Sequence, residues 1–93
     1  MNKGELIDVI ASKAKVSKKD ADAALTAVLE EIVAAVSTGD KVTLVGFGSF
    51  EQRLRQARLG RNPRTGEKMQ IAATRVPAFA PGKLFKQRVV GDE

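Results

Sequence analysis

Residues 51 to 75 carry seven basic side chains (Arg53, Arg55, Arg58, Arg61, Arg64, Lys68 and Arg75) against two acidic ones, Glu51 and Glu67, and lack any apolar run that could form a core. Seven minus two is +5, which is also the formal charge of the whole chain, so the other 68 of the 93 residues balance at nine basic and nine acidic. The basicity is local, and those 68 residues have to supply the packing for the entire chain.

A chain of this size buries only about 60 to 65% of its unfolded surface, which leaves marginal stability. Small domains in that position add a disulfide, a metal or a partner subunit. There is no Cys and no His, so a disulfide and the common zinc sites are excluded, and the expectation is a dimer. The same absences remove the usual general acid-base group and the thiol nucleophile, so the expectation is no enzyme, no cofactor and no metal. The N-terminus lacks the apolar run of a signal peptide, and no segment approaches the about 18 apolar residues of a membrane span. An intracellular protein with no membrane and no small-molecule substrate is expected. A pI near 9.9 points to an anionic partner, nucleic acid first, with an acidic protein or a membrane surface behind it.

Asn2 stands three residues before Glu5, and Ser17 three before Asp20; each pair has the spacing of a helix-capping box. Apolar residues at Leu6, Ile7, Ile10 and Ala14 predict a helix over about 3 to 14. Those at Ala21, Ala24, Leu25, Val28, Leu29, Ile32, Val33 and Val36 predict a longer one over about 18 to 38, closed by Gly39. From Lys41 the period falls to two, which predicts a short strand through Val42 and Leu44, and Gly46-Phe47-Gly48 reads as a tight connection into a second strand. A dinucleotide fingerprint fails there, because its third glycine falls on Glu51. Phe47, Phe50 and Phe79 are the expected core aromatics.

The turn formers Asn62-Pro63-Arg64-Thr65-Gly66 predict a hairpin tip, with flanks of about ten residues that at about 3.3 Å each could extend roughly 30 Å. The stretch from Val76 to Pro81 is expected to end the returning strand, since Pro77 cannot donate to a ladder and Pro81 stops further pairing, and a short helix follows over about 83 to 90. Gly91-Asp92-Glu93 is expected to fray. The whole is an α+β chain forming a single domain over 1 to 93. A helical part spans about 1 to 40, a sheet and arm about 41 to 81 with the arm over 51 to 75, and a C-terminal helix closes the chain.

Guanidinium groups suit phosphate because they stay charged and offer a planar fork of donors. Arg53 and Arg55 share a strand face whereas Arg58 has the opposite parity, so a bulge or strong twist is expected near Gln56 to Arg58. The bland reading, a charged ribbon edge that resists aggregation, is outweighed by arginine on both legs and at the tip. No aromatic residue lies between 51 and 75, so the arm cannot stack bases, which disfavours a single-strand or RNA-binding module. A ribbon tipped by proline fits a duplex groove, with Pro63 as a candidate wedge. Lys83 and Lys86, one turn apart at the start of the last helix, and Lys3 at the start of the first, oppose the helix dipole and suit phosphates.

Gly46-Phe47-Gly48-Ser49-Phe50, the spaced Arg53, Arg55 and Arg58, the run Gly60-Arg61-Asn62-Pro63-Arg64-Thr65-Gly66, and Val76-Pro77-Ala78-Phe79 together resemble the bacterial histone-like HU proteins, close relatives of integration host factor. The resemblance covers essentially the whole chain and is strongest to cyanobacterial HU. HU is itself a standard minor-groove architectural binder, so the wedge mechanism comes with the family.

The resemblance implies an intertwined homodimer with Phe47, Phe50 and Phe79 in the dimer core, helices beneath a sheet, and two arms around double-stranded DNA. It implies Pro63 inserted between base pairs with Arg61, Asn62 and Arg64 around it. Arg53, Arg55, Arg58, Lys68 and Arg75 would line the arm, and Lys3, Lys83 and Lys86 would take phosphates along the body. The implied role is largely sequence-independent DNA bending and compaction in the cytoplasmic nucleoid, the alternative being a site-specific recombination cofactor. The tail Asp92-Glu93 departs from the basic ends of many relatives.

Overall fold

The computed structural model describes residues 1 to 91; Asp92 and Glu93, and with them the end of the expected frayed tail, lie outside the described residues. The chain divides into two compact units, one up to Ala34 and one from Ala35 onward.

In the first unit, helix α1 spans Lys3–Ala14, and α2 begins at Lys18 and runs to Ser37, its last turn belonging to the second unit. Both expected caps form by their side-chain half: Asn2 Oδ1 accepts from Glu5 N–H at 2.9 Å, and Ser17 Oγ from Asp20 N–H at 3.0 Å. α1 ends in a way the sequence does not announce. Lys15 takes the left-handed conformation at φ 58°, and Ala11 O accepts from Val16 N–H at 3.1 Å, so a lysine fills the place a glycine usually holds.

At the end of α2, Gly39 does what its position predicts. It takes φ 92°, Gly39 N–H donates to Val36 O at 3.0 Å, and Asp40 N–H donates to Ala35 O at 2.9 Å. The two bonds together satisfy carbonyls that the helix itself leaves free.

The second unit holds strands β1 (Val42–Leu44), β2 (Gly48–Arg55), β3 (Arg58–Arg61), β4 (Lys68–Ile71) and β5 (Thr74–Pro81), then helix α3 (Lys83–Val90). β1, β2 and β5 form one antiparallel sheet in that order, and β3 pairs with β4 in a separate two-stranded ribbon. The expected three-stranded sheet with an extended hairpin arm is thus present. Pro81 is the last residue of the returning strand, opposite Gly48, as expected, and Pro77 lies inside β5 opposite Gln52. β5 is an edge strand, and the two prolines share parity, so both can turn the missing donor toward the unpaired edge.

Four phenylalanines hold the root of this sheet together. Phe50 sits opposite Phe79 with ring centroids 4.9 Å apart, and Phe47 lies 5.5 Å from Phe79. Phe85 of α3 joins them, 5.4 Å from Phe47 and 5.8 Å from Phe79. The turn that brings α3 in is tied by Gly82 N–H donating to Phe47 O at 2.8 Å.

Little is fully enclosed within one chain. The buried apolar side chains are Ala11, Ala21 and Val36. Val28, Leu29 and Val33 of α2 stay exposed, as do Phe47, Phe79 and Phe85 in part. Among the described residues no helix is long and apolar enough to cross a membrane.

Candidate nucleic-acid interface

Opposed residues of an antiparallel pair share a face of the sheet, so the register sorts the arginines. On the root, Arg53 lies opposite Val76 and Arg55 opposite Thr74, on the same face as Glu51 and Ala78. The other face carries Phe50 with Phe79, Gln52 with Pro77, and Leu54 with Arg75. Arg75 therefore belongs to the phenylalanine face, away from Arg53 and Arg55. Its Nη1 donates to Gln52 Oε1 at 3.3 Å.

Pairing stops after Arg55 and Thr74 and resumes at Arg58 and Ile71. The irregularity expected near Gln56 to Arg58 is there, but it is not a bulge. Gln56 and Ala57 drop out on one leg and Ala72 and Ala73 on the other, so the register continues unchanged across the gap. Three of these four residues are alanine, so only Gln56 carries a long side chain at this point.

Beyond the gap, Arg61 faces Lys68 directly, and Leu59 faces Gln70 on the same side. Arg58 shares the other side with Gly60, Met69 and Ile71. Two cations opposite one another repel, and with neither in an ion pair among the described residues this is a poor arrangement for stability and a good one for an anion.

The tip is built from its own hydrogen bonds. Asn62 N–H donates to Glu67 O and Gly66 N–H to Asn62 O, both at 2.8 Å, while Asn62 Oδ1 accepts from Arg64 N–H at 2.9 Å. Gly66 takes φ 73°, and Arg61 Nη1 donates to Gly66 O at 3.3 Å. Pro63 and Arg64 stand exposed at the apex. Asn62 is thus a turn former whose oxygen is already used, leaving its amide nitrogen for any ligand.

The remaining sequence candidates differ in how free they are. Lys3 Nζ donates to Thr26 Oγ1 at 3.0 Å and stands 4.0 Å from Asp22 Oδ1. Lys83 and Lys86 lie on the first turn of α3, whose N-cap Gly82 offers no side-chain acceptor. Two residues that sequence reasoning passed over matter here. Glu51 lies 3.8 Å from Arg53 Nη2 and 4.0 Å from Lys41 Nζ, a counter-charge on the arginine face. Gln52 donates from Nε2 to Val36 O at 2.8 Å. A signal for it existed: it is the polar residue at the apolar parity, between Phe50 and Leu54.

Comparison with known proteins agrees with this geometry. Residues 1–90 match the family model described as bacterial DNA-binding protein. The chain is 71% identical to the DNA-binding protein HU of a Nostoc species, covering 96% of this chain and 95% of that one. It is 53% identical to DNA-binding protein HU 1 of Bacillus subtilis over 98% and 99% of the two chains. Among solved structures it superposes on an Anabaena HU–DNA cocrystal structure with a TM-score of 0.94 at 68% identity, covering 99% of this chain and all of that one. On HU from Thermotoga maritima the TM-score is 0.68 at 39% identity, covering 96% and 98%.

Proposed function

We propose a function from one premise: the chain belongs to the bacterial DNA-binding protein family, and is of the HU type. It is a non-enzymatic architectural protein that binds and bends double-stranded DNA in the nucleoid, the whole chain serving as one DNA-binding domain. The observation that carries this reading is the pair of cationic surfaces, Arg53 with Arg55 on the root, only partly offset by Glu51, and Arg61 with Lys68 on the ribbon, in a fold that matches an HU solved with DNA.

Affinity comes from the cations. Each phosphate neutralised releases condensed counterions, so log Kobs falls with log salt by about 0.9 per contact. Arg53, Arg55, Arg58, Arg61, Arg64 and Lys68 supply these contacts along the arm, with Asn62 at the tip. Lys83 and Lys86 take flanking phosphates where DNA bends toward α3. Lys3 does so only by giving up Thr26 and Asp22, so its contribution is smaller.

Geometry comes from the tip. Pro63 presents an apolar ring with no donor of its own, suited to entering between base pairs; unstacking costs about a few kcal/mol per step, offset by contacts that only bent DNA allows. Phosphate contacts and a wedge carry little sequence information, so binding is largely sequence-independent. The active form is a homodimer. The partly exposed Phe47, Phe79 and Phe85 and the exposed Val28, Leu29 and Val33 support it, since a second copy covers apolar surface that one chain cannot.

Titration of duplex DNA and duplex RNA at equal salt tests the reading. The expected result is tighter binding to DNA with a steep loss as salt rises. Equal affinity for both, or binding indifferent to salt, contradicts it.

A further inference from the structure

We propose that Gln52 and Arg75 together anchor the arm to the end of α2, and that Arg75 is a positioning residue of the ribbon rather than a phosphate contact. The proposal deepens the DNA-binding reading and rests on it for the role of the arm.

Three observations converge. Gln52 is partly buried, and its Nε2 donates to two carbonyls at the last turn of α2, Val36 O at 2.8 Å and Ser37 O at 3.3 Å. Val36 O already accepts from Gly39 N–H at 3.0 Å and offers Gln52 its second lone pair, while Ser37 O is one of the carbonyls a helix end leaves short of partners; both belong to the negative end of the helix dipole. Gln52 Oε1 then accepts from Arg75 Nη1 at 3.3 Å. One side chain thus uses its donor on the helix and its acceptor on the returning strand, which fixes the orientation of its amide. Finally, the register places Arg75 on the phenylalanine face opposite Leu54, while Arg53 and Arg55 occupy the reverse.

The location gives the bridge its purpose. It spans the ladder from Gln52, three pairs before the last pair of Arg55 with Thr74, to Arg75, one pair before it, at the last stretch where the arm is still part of the main sheet. Pro77, opposite Gln52, turns its missing donor to the open edge, and Phe50 with Phe79 lies two ladder pairs further in. Without the bridge, the outer root pairs, Arg53 with Val76 and Arg55 with Thr74, have only the ladder to hold them. A ribbon leaving a frayed root has no set direction, and a cation held by a backbone-anchored amide transmits that direction without touching the ligand.

Hydrogen exchange on the free full-length protein reads the anchor locally, alongside the salt dependence of duplex binding. Gln52→Ala and Arg75→Met are each expected to reduce protection at Arg55 and Val76 by about tenfold, the scale of one lost hydrogen bond to a charged group, while Ser49 and Ala80 beside the phenylalanines stay protected. Arg75→Lys, which keeps a donor within reach of Gln52, is expected to restore protection. The salt slope of Arg75→Met should equal that of the unaltered protein, whereas Arg53→Gln should lose about one. A slope loss of about one in Arg75→Met, or root protection unchanged in Gln52→Ala, overturns the proposal. Because exchange is measured without DNA, a failure of the DNA-binding reading would appear separately, as an unaltered protein that does not bind a duplex.

Discussion

Gly48 and Gly60 pose the same steric question in two regions and receive different answers. A Cβ on either would come within 2.6 Å of a neighbour. At Gly48 the neighbours are the Ala80 carbonyl oxygen and the ring of Phe79, itself packed on three other phenylalanines. At Gly60 the neighbour is Cδ1, the far end of the Ile71 side chain. The root of the sheet cannot move aside; the ribbon can. Close packing transmits strain where every atom has neighbours and loses it where a side chain can swing into solvent. One hairpin therefore contains a fixed part that sets where the arm begins and a yielding part that meets the ligand.

Substitutions sharpen this contrast, and the largest effect belongs to the root. Phe79→Ala removes the ring that touches Phe47, Phe50 and Phe85, and is expected to cost about 3 kcal/mol, the lower end for phenylalanine because the ring is partly exposed. Denaturant unfolding measures it, and a loss below about 1 kcal/mol would deny the root its special status. Gly48→Ala follows at about 2 kcal/mol from overpacking against a backbone carbonyl, read by the same titration. Gly60→Ala is expected to stay within about 0.5 kcal/mol; equal losses at the two glycines would dissolve the distinction. Arg61→Gln should leave the unfolding midpoint in place and reduce the salt slope of DNA binding by about one. A drop in stability with no change in slope would mean that Arg61 serves the fold instead.

Much of this division was legible in the sequence, for reasons that differ by element. The helices were visible because caps and periodicity are local: Asn2, Ser17 and Gly39 announce themselves within a few residues. Lys15 does not, since nothing in a lysine codes for the left-handed conformation it takes in the turn that ends α1. The strand's end at Pro81 was legible, but Pro77 inside it depends on β5 being an edge, which a single sequence does not reveal, because proline excludes pairing only on its donor side. The break beside Arg58 was anticipated from arginine parity, yet its balanced form depends on Ala72 and Ala73, on the leg the parity reasoning did not consider. Gln52 and Arg75 were the hardest. Counting charges groups Arg75 with the other arm cations, and only the register shows that it faces the opposite way.

The central claim is that cations set affinity while the exposed apex sets geometry. End-to-end FRET on a short duplex tests it most directly, comparing the unaltered protein with Pro63→Ala at saturating concentration. The account predicts a smaller bend for Pro63→Ala with the salt slope of binding retained. A bend equal to that of the unaltered protein contradicts the wedge, and places the bending in the arginines alone.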